Sequence, residues 1–433
     1  MQTKTFSFTA VGDMLIQRRL PDTYEGLEEL VRFIEQGDLR YFNLETTLNR
    51  GESWGNQYGG GSWLRADPKV LEDIKRMGFN MASIANNHSL DFSHWGLIKT
   101  FEAFEAFGMP YAGAGRNLTA AAQPAYLDTS KGRIALIATC STFEPASMAG
   151  EQSRRFMGRP GLNGLHFHET FVLPAEEMEI LKKIAAKIHI NAYDDIWRKE
   201  GYLPQIEKGR FKFGKYDFQE GEAIRRLSTV DETDMQRIIK NIKEAEFQAD
   251  FVAVAIHSHE LAGDAKETPD DFLIEFAHRC IDAGADTVIG AGPHLLRPIE
   301  IYKGCPIFYS LGDFILENEN IPYGPEDFYK SYDLTSDNTM LDLFKKRSQN
   351  FTKGLQTDRR AFETVVPHCQ YEDGKLKKIT LLPVELGFGS ARSMGGLPRI
   401  QRHASFIRRL IEMSEPFGTR ICETEDGLAE III

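Results

Sequence analysis

The chain has 433 residues, 42% of them hydrophobic and 26% charged, with 37 glycines and 18 prolines, a composition that excludes disordered, collagen-like and disulfide-scaffold classes. Its 51 Lys and Arg against 63 Asp and Glu leave a net charge of −12, which argues against nucleic acid or anionic lipid as a partner. No apolar run approaches the roughly 18–20 residues of a membrane helix, and the start, MQTKTFSFTAVGDMLI, lacks a signal-peptide layout. We therefore expect a cytoplasmic protein without a membrane anchor.

Short strand-like runs alternate with amphipathic stretches from the start of the chain, as in folds whose strands are joined by crossover helices. Strands are predicted over 6–14, 40–48, 80–85, 133–141, 250–256, 287–289 and 307–315, and helices over 27–35, 68–77 and 94–107. This pattern predicts an α/β fold in which one sheet system runs through a single domain of residues 1–433.

Two intervals interrupt the alternation. Residues 151–247 are charged and predicted to be a helical insertion, with helices at 176–188 and 232–246 on either side of KGRFKFGKYDF, and a lid or substrate-binding element is the expected role. Residues 318–360 lack a clear period and predict a long loop with one short helix. Residues 361–433 then predict a β-hairpin, 362–370 with 376–384, and a last helix over 403–414.

Polar side chains that can bind metal recur where the predicted strands end. They are Asp13, Asn43, Glu45, Asn86, Asn87, His88, His257, His259 and His294. Each one alone is compatible with a turn, a helix cap or a solvated loop. Five strand ends that all carry such groups indicate instead a divalent cation at one edge of the sheet, and oxygen and nitrogen donors suit Mn, Fe or Zn.

The ordered motifs GDM, NLETTL, NNHSLDF, IHSHE, GAGPHLLRPIE and YSLGDFI resemble the CapA (poly-γ-glutamate capsule synthesis protein) family. Members of that family are similar in fold to calcineurin-like metallophosphatases. RPGLNGL and LPVELGFGSARSMGGLPR resemble pieces of its longer members, so that the resemblance covers residues 6–399. It implies a four-layer αββα metallophosphatase-like sandwich with metal between two facing sheets.

The resemblance also implies roles for individual residues. The implied metal ligands are Asp13, Glu45 as the bridging carboxylate, Asn87, His257 and His294. The implied catalytic residues are His88 as the proton donor, together with His294 and Asp13, whereas His259 and Asp313 are assigned to the substrate. Ala291 stands where the family commonly has His, and Leu15 where ordinary metallophosphatases have one. Because these departures remove imidazole donors, one ion or a weakened pair is expected.

The substrate is less defined by the sequence. Arg155 and Arg159 lie in RRFMGRPG and could offer guanidinium groups to carboxylates, or could simply be solvated loop residues. The resemblance adds a peptide or γ-glutamyl chain as the expected substrate. The oligomeric state is left open.

Three functions remain open from the sequence. The first is a soluble metal-dependent hydrolase that cleaves an amide bond in a peptide or poly-γ-glutamate-type chain. The second is a metal-dependent peptide epimerase that uses the same residues as acid and base at Cα, because a cation also stabilises an enolate-like transition state. The third is a non-catalytic capsule-assembly protein whose metal centre has decayed.

Overall fold

Two large β-sheets form the centre of the protein, whose computed structural model describes residues 5–392 and 394–433. Up to residue 140 the elements are β1 (Thr5–Leu15), α1 (Leu27–Ile34), β2 (Leu39–Leu44), β3 (Thr47–Leu48), β4 (Arg65–Ala66), α2 (Val70–Arg76), β5 (Met81–Ser83), α3 (Ser93–Phe107), β6 (Tyr111–Ala112), β7 (Ala114–Gly115), α4 (Leu118–Ala122), β8 (Ala125–Thr129) and β9 (Gly132–Cys140). A short 3₁₀ turn follows at Pro145–Ser147.

The middle of the chain adds β10 (Gly161–Leu162), β11 (Phe167–Leu173), α5 (Ala175–Ile188), α6 (Ala192–Lys199), β12 (Arg210–Phe213), β13 (Tyr216–Glu220), β14 (Arg225–Val230), α7 (Glu232–Gln248), β15 (Phe251–His257), α8 (Asp271–Asp282) and β16 (Thr287–Ala291). The last third adds β17 (Ile299–Tyr302), β18 (Cys305–Phe308), β19 (Asp313–Leu316), α9 (Glu326–Lys330), α10 (Met340–Arg347), β20 (Glu363–Glu372), β21 (Lys375–Glu385), β22 (Arg399–Ile400), α11 (Phe406–Ser414), β23 (Ile421–Glu423) and β24 (Ala429–Ile431).

The first sheet has the order β23-β24-β21-β20-β1-β2-β5-β6, with β19 paired to β1 and β22 paired to β21. The second has the order β17-β18-β16-β15-β9-β8. Strands β1, β2, β5 and β6 are parallel in the first sheet, and β9, β15, β16 and β18 are parallel in the second. Each sheet therefore has an edge at which several strands end in the same direction, where ligands of open α/β sheets collect.

The two sheets pack face to face, with helices on both outer sides. In β15, Ala253 and Ala255 belong to the core between the sheets, whereas Val254 belongs to a second core under α7 and α8, as the two-residue period of a strand requires. Across the sheet interface, the Phe8 and Phe251 rings lie 5.7 Å apart. The next residue of β1, Thr9, points the other way, and its hydroxyl donates to the Ile34 carbonyl at the end of α1 in the outer layer. These layers confirm the predicted αββα sandwich.

Two predicted strands are each divided in the structure. The run 307–315 forms β18 in the second sheet and β19 in the first, because the chain turns between them at Gly312, whose φ is +69°. The turn passes so close to β1 that a Cβ on Gly12 would lie 1.8 Å from the Gly312 carbonyl oxygen. The run 40–48 forms β2 and β3, and Glu45 lies in the break between them.

Residues 151–247 differ from the predicted helical insertion. They contain a four-stranded sheet, β12-β13-β11-β14, whose first hairpin is formed by the KGRFKFGKYDF stretch, beside α5 and α6. Helix α7 belongs to the outer layer of the sandwich instead, because its stripe of Met235, Ile238 and Ile242 is buried against the second sheet. An ion pair of 2.6 Å from Arg226 of β14 to the buried Asp270 ties the small sheet to the start of α8.

The predicted loop 318–360 contains two short helices, α9 and α10, and 3₁₀ turns at Leu355–Thr357 and Arg359–Phe362. Thr339 and Asp342 form a capping box at the start of α10. The predicted hairpin is observed as β20 and β21, and β20 pairs with β1, so that the C-terminal region extends the first sheet. None of the helices in residues 5–392 and 394–433 combines the length and apolar character needed to cross a membrane.

Candidate metal centre

The polar residues predicted at the strand ends meet where the parallel strands of both sheets terminate. Asp13 of β1 is in register with Asn43 of β2 on one side and with Asp313 of β19 on the other. From the facing sheet, His257 ends β15 opposite Ala291 of β16. The sandwich therefore brings groups from two sheets to one place, although they are separated by up to 300 residues in sequence.

Four side chains form a first group of ligand type. The ligand atoms of Asp13, Glu45, His294 and Asp313 all lie within 4.8 Å of one another, and the three carboxylates are buried. His294 Nδ1 lies 2.9 Å from Asp313 Oδ1. The backbone of His294 is held at a φ of 59°, a left-handed conformation that is uncommon outside glycine and is found preferentially at functional sites.

A second group shares one member with the first. Glu45, His257 and His259 also place their ligand atoms within 4.8 Å of one another, and the Nε2 atoms of the two imidazoles are 3.0 Å apart. Glu45 therefore lies between two sets of donors. The sequence assigned His259 and Asp313 to the substrate, but the structure places each beside metal-type ligands, and they supply donors that Leu15 and Ala291 lack.

Unpartnered buried oxygens test whether these residues suit a cation. Both carboxylate oxygens of Glu45 are buried without a hydrogen-bond partner among the described residues, and so is Asp313 Oδ2. Buried polar atoms are almost always paired in native proteins, and an unpaired one costs roughly 1–3 kcal/mol. Oxygens left free in this way, next to imidazole nitrogens, fit a divalent cation of the Mn, Fe or Zn type.

The electrostatics of the carboxylates lead to the same conclusion. Burial, followed by repulsion from Asp13 and Asp313, raises the pKa of Glu45 well above its usual value. Burial also raises the pKa of Asp313, although His294 opposes the effect. For Asp13, burial alone would raise the pKa, but His257, His294 and the Asn43 amide lower it. Three carboxylates crowded away from water need positive charge nearby, which a bound cation supplies.

The imidazoles are held in states that suit metal binding. Burial and the neighbouring His257 and His294 lower the pKa of His259 well below its ordinary value, so that its ring is neutral and offers a lone pair. His257 Nδ1 lies 3.4 Å from Asp13 Oδ1, a contact that orients the ring so that Nε2 faces Glu45. In contrast, Asp313 and Asp13 raise the pKa of His294 against the opposing effect of burial.

Three asparagines around the centre differ in their hydrogen bonds. Asn43 donates through Nδ2 to Asp13 Oδ1 at 2.6 Å, and Asn86 donates to the Leu44 carbonyl at 2.7 Å. Both are therefore positioning groups that fix the strand ends. Asn87, the predicted amide ligand, donates to the Gly60 carbonyl, and its Oδ1 is buried and unpartnered. Its free oxygen keeps Asn87 available as a ligand.

His88 forms a hydrogen-bonded pair with a residue that the sequence analysis missed. Its Nδ1 lies 2.6 Å from Asp91 Oδ2, and its Nε2 faces Glu45 Oε1 at 3.8 Å. Asp91 also accepts the backbone N–H groups of Gly60 and Leu64, and burial raises its pKa. The spacing of three residues in HSLD could have indicated the pair. Asp91 thus orients the His88 ring and ties it to the neighbouring loop.

A buried arginine fixes the loop that carries His259. Arg297 has no exposed surface, and its guanidinium donates to the backbone carbonyls of Lys266, Ser258, His259 and Glu260 at 2.7–3.4 Å. Burial lowers its pKa to about 10, at which it remains charged near neutrality. Arg297 is therefore a positioning residue for the second ligand group. The HLLRP motif contains Arg297, but the sequence does not indicate which carbonyls it contacts.

Arg297→Lys is expected to lower the free energy of unfolding by about 2–3 kcal/mol, because one ammonium on a shorter, differently shaped head group cannot donate to all four carbonyls. Urea denaturation measures the change. Arg402→Lys is the matched control, since Arg402 makes surface ion pairs with Glu29 and Asp426 and should change stability by less than about 1 kcal/mol. Equal effects of the two substitutions would show that Arg297 does not clamp the loop.

The two predicted substrate-binding arginines lie elsewhere on the surface. Arg159 is exposed and donates through Nε and an Nη atom to the Met148 carbonyl. Arg155 is also exposed, on a loop whose backbone is held by the Ser153 hydroxyl. The structure does not bring either residue to the ligand groups or to the lining of the cleft beside them.

An open cleft of about 490 Å³ leads to the candidate metal centre. His88 and His294 line one end of it. The remaining lining residues are Leu15, Gly60, Gly61, Ser62, Leu64, Lys266, Asn318, Arg347, Gly354, Leu355, Thr357 and Asp358. A substrate bound in this cleft would therefore reach both imidazoles, whereas residues 151–247, the expected lid, contribute nothing to its lining.

Comparison with known proteins gives consistent similarities. A family model described as bacterial capsule synthesis protein PGA_cap matches residues 7–318. The uncharacterized protein y4sH of Sinorhizobium fredii is 31% identical over 96% of this chain and 91% of its own length. A probable polyglutamine synthesis accessory protein of Mycobacterium tuberculosis is 25% identical over 91% of this chain and 77% of its own length. The PGA biosynthesis protein CapA of Bacillus subtilis is 24% identical over 72% of this chain and 63% of its own length.

Proposed function

Because the chain belongs to the bacterial capsule synthesis protein PGA_cap family, we propose that it is a metal-dependent hydrolase of an amide bond in a peptide or poly-γ-glutamate-type chain. The observation that carries the proposal is Glu45, whose two unpartnered oxygens lie between two groups of ligand-type side chains. The names of the relatives refer to the biosynthesis of PGA and of polyglutamine, which supports a chain built from one repeated amino acid as the substrate.

In this proposal Asp13, Glu45, His294 and Asp313 would hold one cation, and Glu45, His257 and His259 could hold a second. Asn87 offers a further amide oxygen. Divalent ions of Mn, Fe or Zn would supply Lewis acidity toward a carbonyl or phosphoryl oxygen and toward water.

The chain's own residues account for positioning and proton transfer. The cleft admits an extended substrate, and His88 lies at its end, beside Glu45. Asp91 accepts the hydrogen bond from His88 Nδ1 and leaves Nε2 directed toward the cleft, where it can take a proton from the attacking water and then give it to the leaving amine. The Asn43 amide and the Gly292 N–H hold Asp13 so that its carboxylate cannot rotate.

Metal analysis and an amide-cleavage assay test the proposal together. Protein purified without chelator is expected to contain Mn, Fe or Zn and to release amine from γ-linked glutamate oligomers. Asp13→Ala and His294→Ala should lose both properties. Absence of bound metal, with no change in melting temperature when Mn, Fe or Zn is added, would support a non-catalytic assembly protein instead.

A second candidate reaction, epimerisation at Cα, is favoured by a specific feature of the cleft. Two imidazole–carboxylate pairs, His88 with Asp91 and His294 with Asp313, open into it. Proton removal and return at one carbon need two such groups. Incubation of a peptide substrate in D₂O separates the reactions, because epimerisation installs deuterium at Cα without cleavage, whereas hydrolysis releases an amine.

A further inference from the structure

The cleft beside the candidate metal centre has two walls of different origin. One wall comes from the loop at Gly60–Leu64 and from His88, within the region that matches the family model. The other comes from Arg347 at the end of α10 and from residues 354–358. The family match ends at residue 318, so membership of the family does not define the chemistry of this second wall.

Two cations face the cleft without forming an ion pair. Arg347 donates to the Ser62 hydroxyl at 2.7 Å, and Lys266 lines the same cleft as His294. Among the ion pairs of the described residues, none involves Arg347 or Lys266. Both side chains are exposed and keep their hydrogen-bonding capacity for a ligand.

The acidic residue in the lining is already neutralised. Asp358 accepts from Arg360 Nε at 2.9 Å and from Arg360 Nη2 at 2.7 Å, a bidentate ion pair that occupies both carboxylate oxygens. Arg360 in turn contacts Glu267. Asp358 therefore does not compete strongly for Lys266 or Arg347, and this end of the cleft presents net positive charge.

We propose that Arg347 and Lys266 form an anion-binding subsite that holds a carboxylate or phosphate group of the substrate while its reacting bond lies at Glu45. The subsite deepens the proposed function and rests on it for the reaction, but not for the binding. Carboxylates on aliphatic arms fit better than a compact phosphate, because the partly exposed Leu355 gives the cleft an apolar surface beside its polar groups.

The overall charge of the protein makes such a subsite necessary for an acidic substrate. With a net charge of −12, the molecule as a whole repels a polyanion. Two cations without an ion pair beside the reacting position oppose this repulsion locally. Specific recognition of an anionic chain in this cleft therefore depends on them.

Isothermal titration calorimetry on the metal-loaded full chain tests the subsite. The probes are tri-γ-glutamate, the same trimer with its carboxylates amidated, and inorganic phosphate. Arg347→Gln and Lys266→Gln are each expected to weaken binding of tri-γ-glutamate about tenfold and to leave binding of the amidated trimer unchanged. Lys345→Gln is the matched control, because Lys345 is an exposed cation on the same helix that does not line the cleft.

The binding and kinetic results distinguish a failure of the proposed subsite from a failure of the proposed hydrolase. Unchanged binding of both tri-γ-glutamate and phosphate in Arg347→Gln and Lys266→Gln overturns the subsite. Weakened phosphate binding with unchanged trimer binding supports the subsite and identifies phosphate as its anion. Hydrolysis with an unchanged KM in both variants, together with unchanged phosphate binding, rejects the subsite and retains the hydrolase. Weakened trimer binding in a protein that cleaves nothing retains the subsite and rejects the hydrolase. Metal content and far-ultraviolet circular dichroism, measured on every variant, establish that each is loaded and folded.

Discussion

Glu45→Gln is expected to raise the melting temperature of the metal-free protein and to abolish the stabilisation that a divalent cation gives to the wild type. In the wild type, the Glu45 carboxyl is fully buried beside Asp13 and Asp313, and neither of its oxygens has a partner. Replacing it with a neutral amide of the same shape removes the repulsion from Asp13 and Asp313 and offers them N–H donors, a gain of roughly 1–3 kcal/mol. Thermal melting in the presence of chelator measures the gain.

Once metal is added, the wild type is expected to gain stability and Glu45→Gln is not. Because Glu45 belongs to both ligand groups, its loss should weaken both cation positions, whereas the loss of His259 should weaken only one. A cation at about 100 times its Kd stabilises the wild type by about 2.7 kcal/mol, and this increment should be absent in Glu45→Gln. Amide cleavage should fall with it. Retention of full metal content by the variant would contradict a shared position for Glu45.

The difference in stability between the metal-free wild type and Glu45→Gln should depend on pH. A carboxyl whose pKa is raised on folding binds its proton more tightly in the folded than in the unfolded state, so that its stabilising contribution is lost as pH rises. The metal-free wild type should therefore lose stability relative to Glu45→Gln from about pH 4.5, the ordinary glutamate value, upward. Glu425→Gln, at an exposed site, is the matched control and should follow the wild type at every pH.

Much of the architecture could be predicted from the sequence because its signals are local. Continuous hydrophobic runs such as RIALIATC and DFVAVAI are typical of parallel strands buried on both faces, and they form β9 and β15. Asp13, Glu45, His257 and His294 follow strand-like runs, and parallel strands in a sandwich end at a common edge, so that their proximity could be expected. The tertiary arrangement adds the distances that make Glu45 a member of two groups.

The remaining features depend on contacts between segments that are distant in sequence. IFYSLGDFI was predicted as one strand, because nothing local indicates that Gly312 turns the chain from one sheet to the other. Arg297 was visible in a motif, but its role depends on carbonyls some 30–40 residues earlier in the chain. Arg347 lies in a segment without clear periodicity, and only the fold places it opposite Ser62.

His88→Gln is expected to lower kcat for amide cleavage by about 10²–10⁴, the usual contribution of a positioned general acid or base, with little change in KM. Metal content should be retained, because His88 belongs to neither ligand group and its Nε2 lies 3.8 Å from Glu45 Oε1. Elemental analysis and steady-state kinetics on the same preparation measure both quantities. Asp91→Asn keeps the imidazole but loses the carboxylate that orients it, so a smaller fall in kcat is expected.

The leaving group distinguishes proton donation from a structural role for His88. A good leaving group such as p-nitroaniline departs with little need for a proton, whereas an alkyl amine must be protonated as the bond breaks. The loss of kcat in His88→Gln should therefore be large for a γ-glutamyl alkylamide and small for γ-glutamyl p-nitroanilide. Equal losses for the two substrates would mean that the ring acts by shaping the cleft, where its contact with Gly60 places it, and not by delivering the proton.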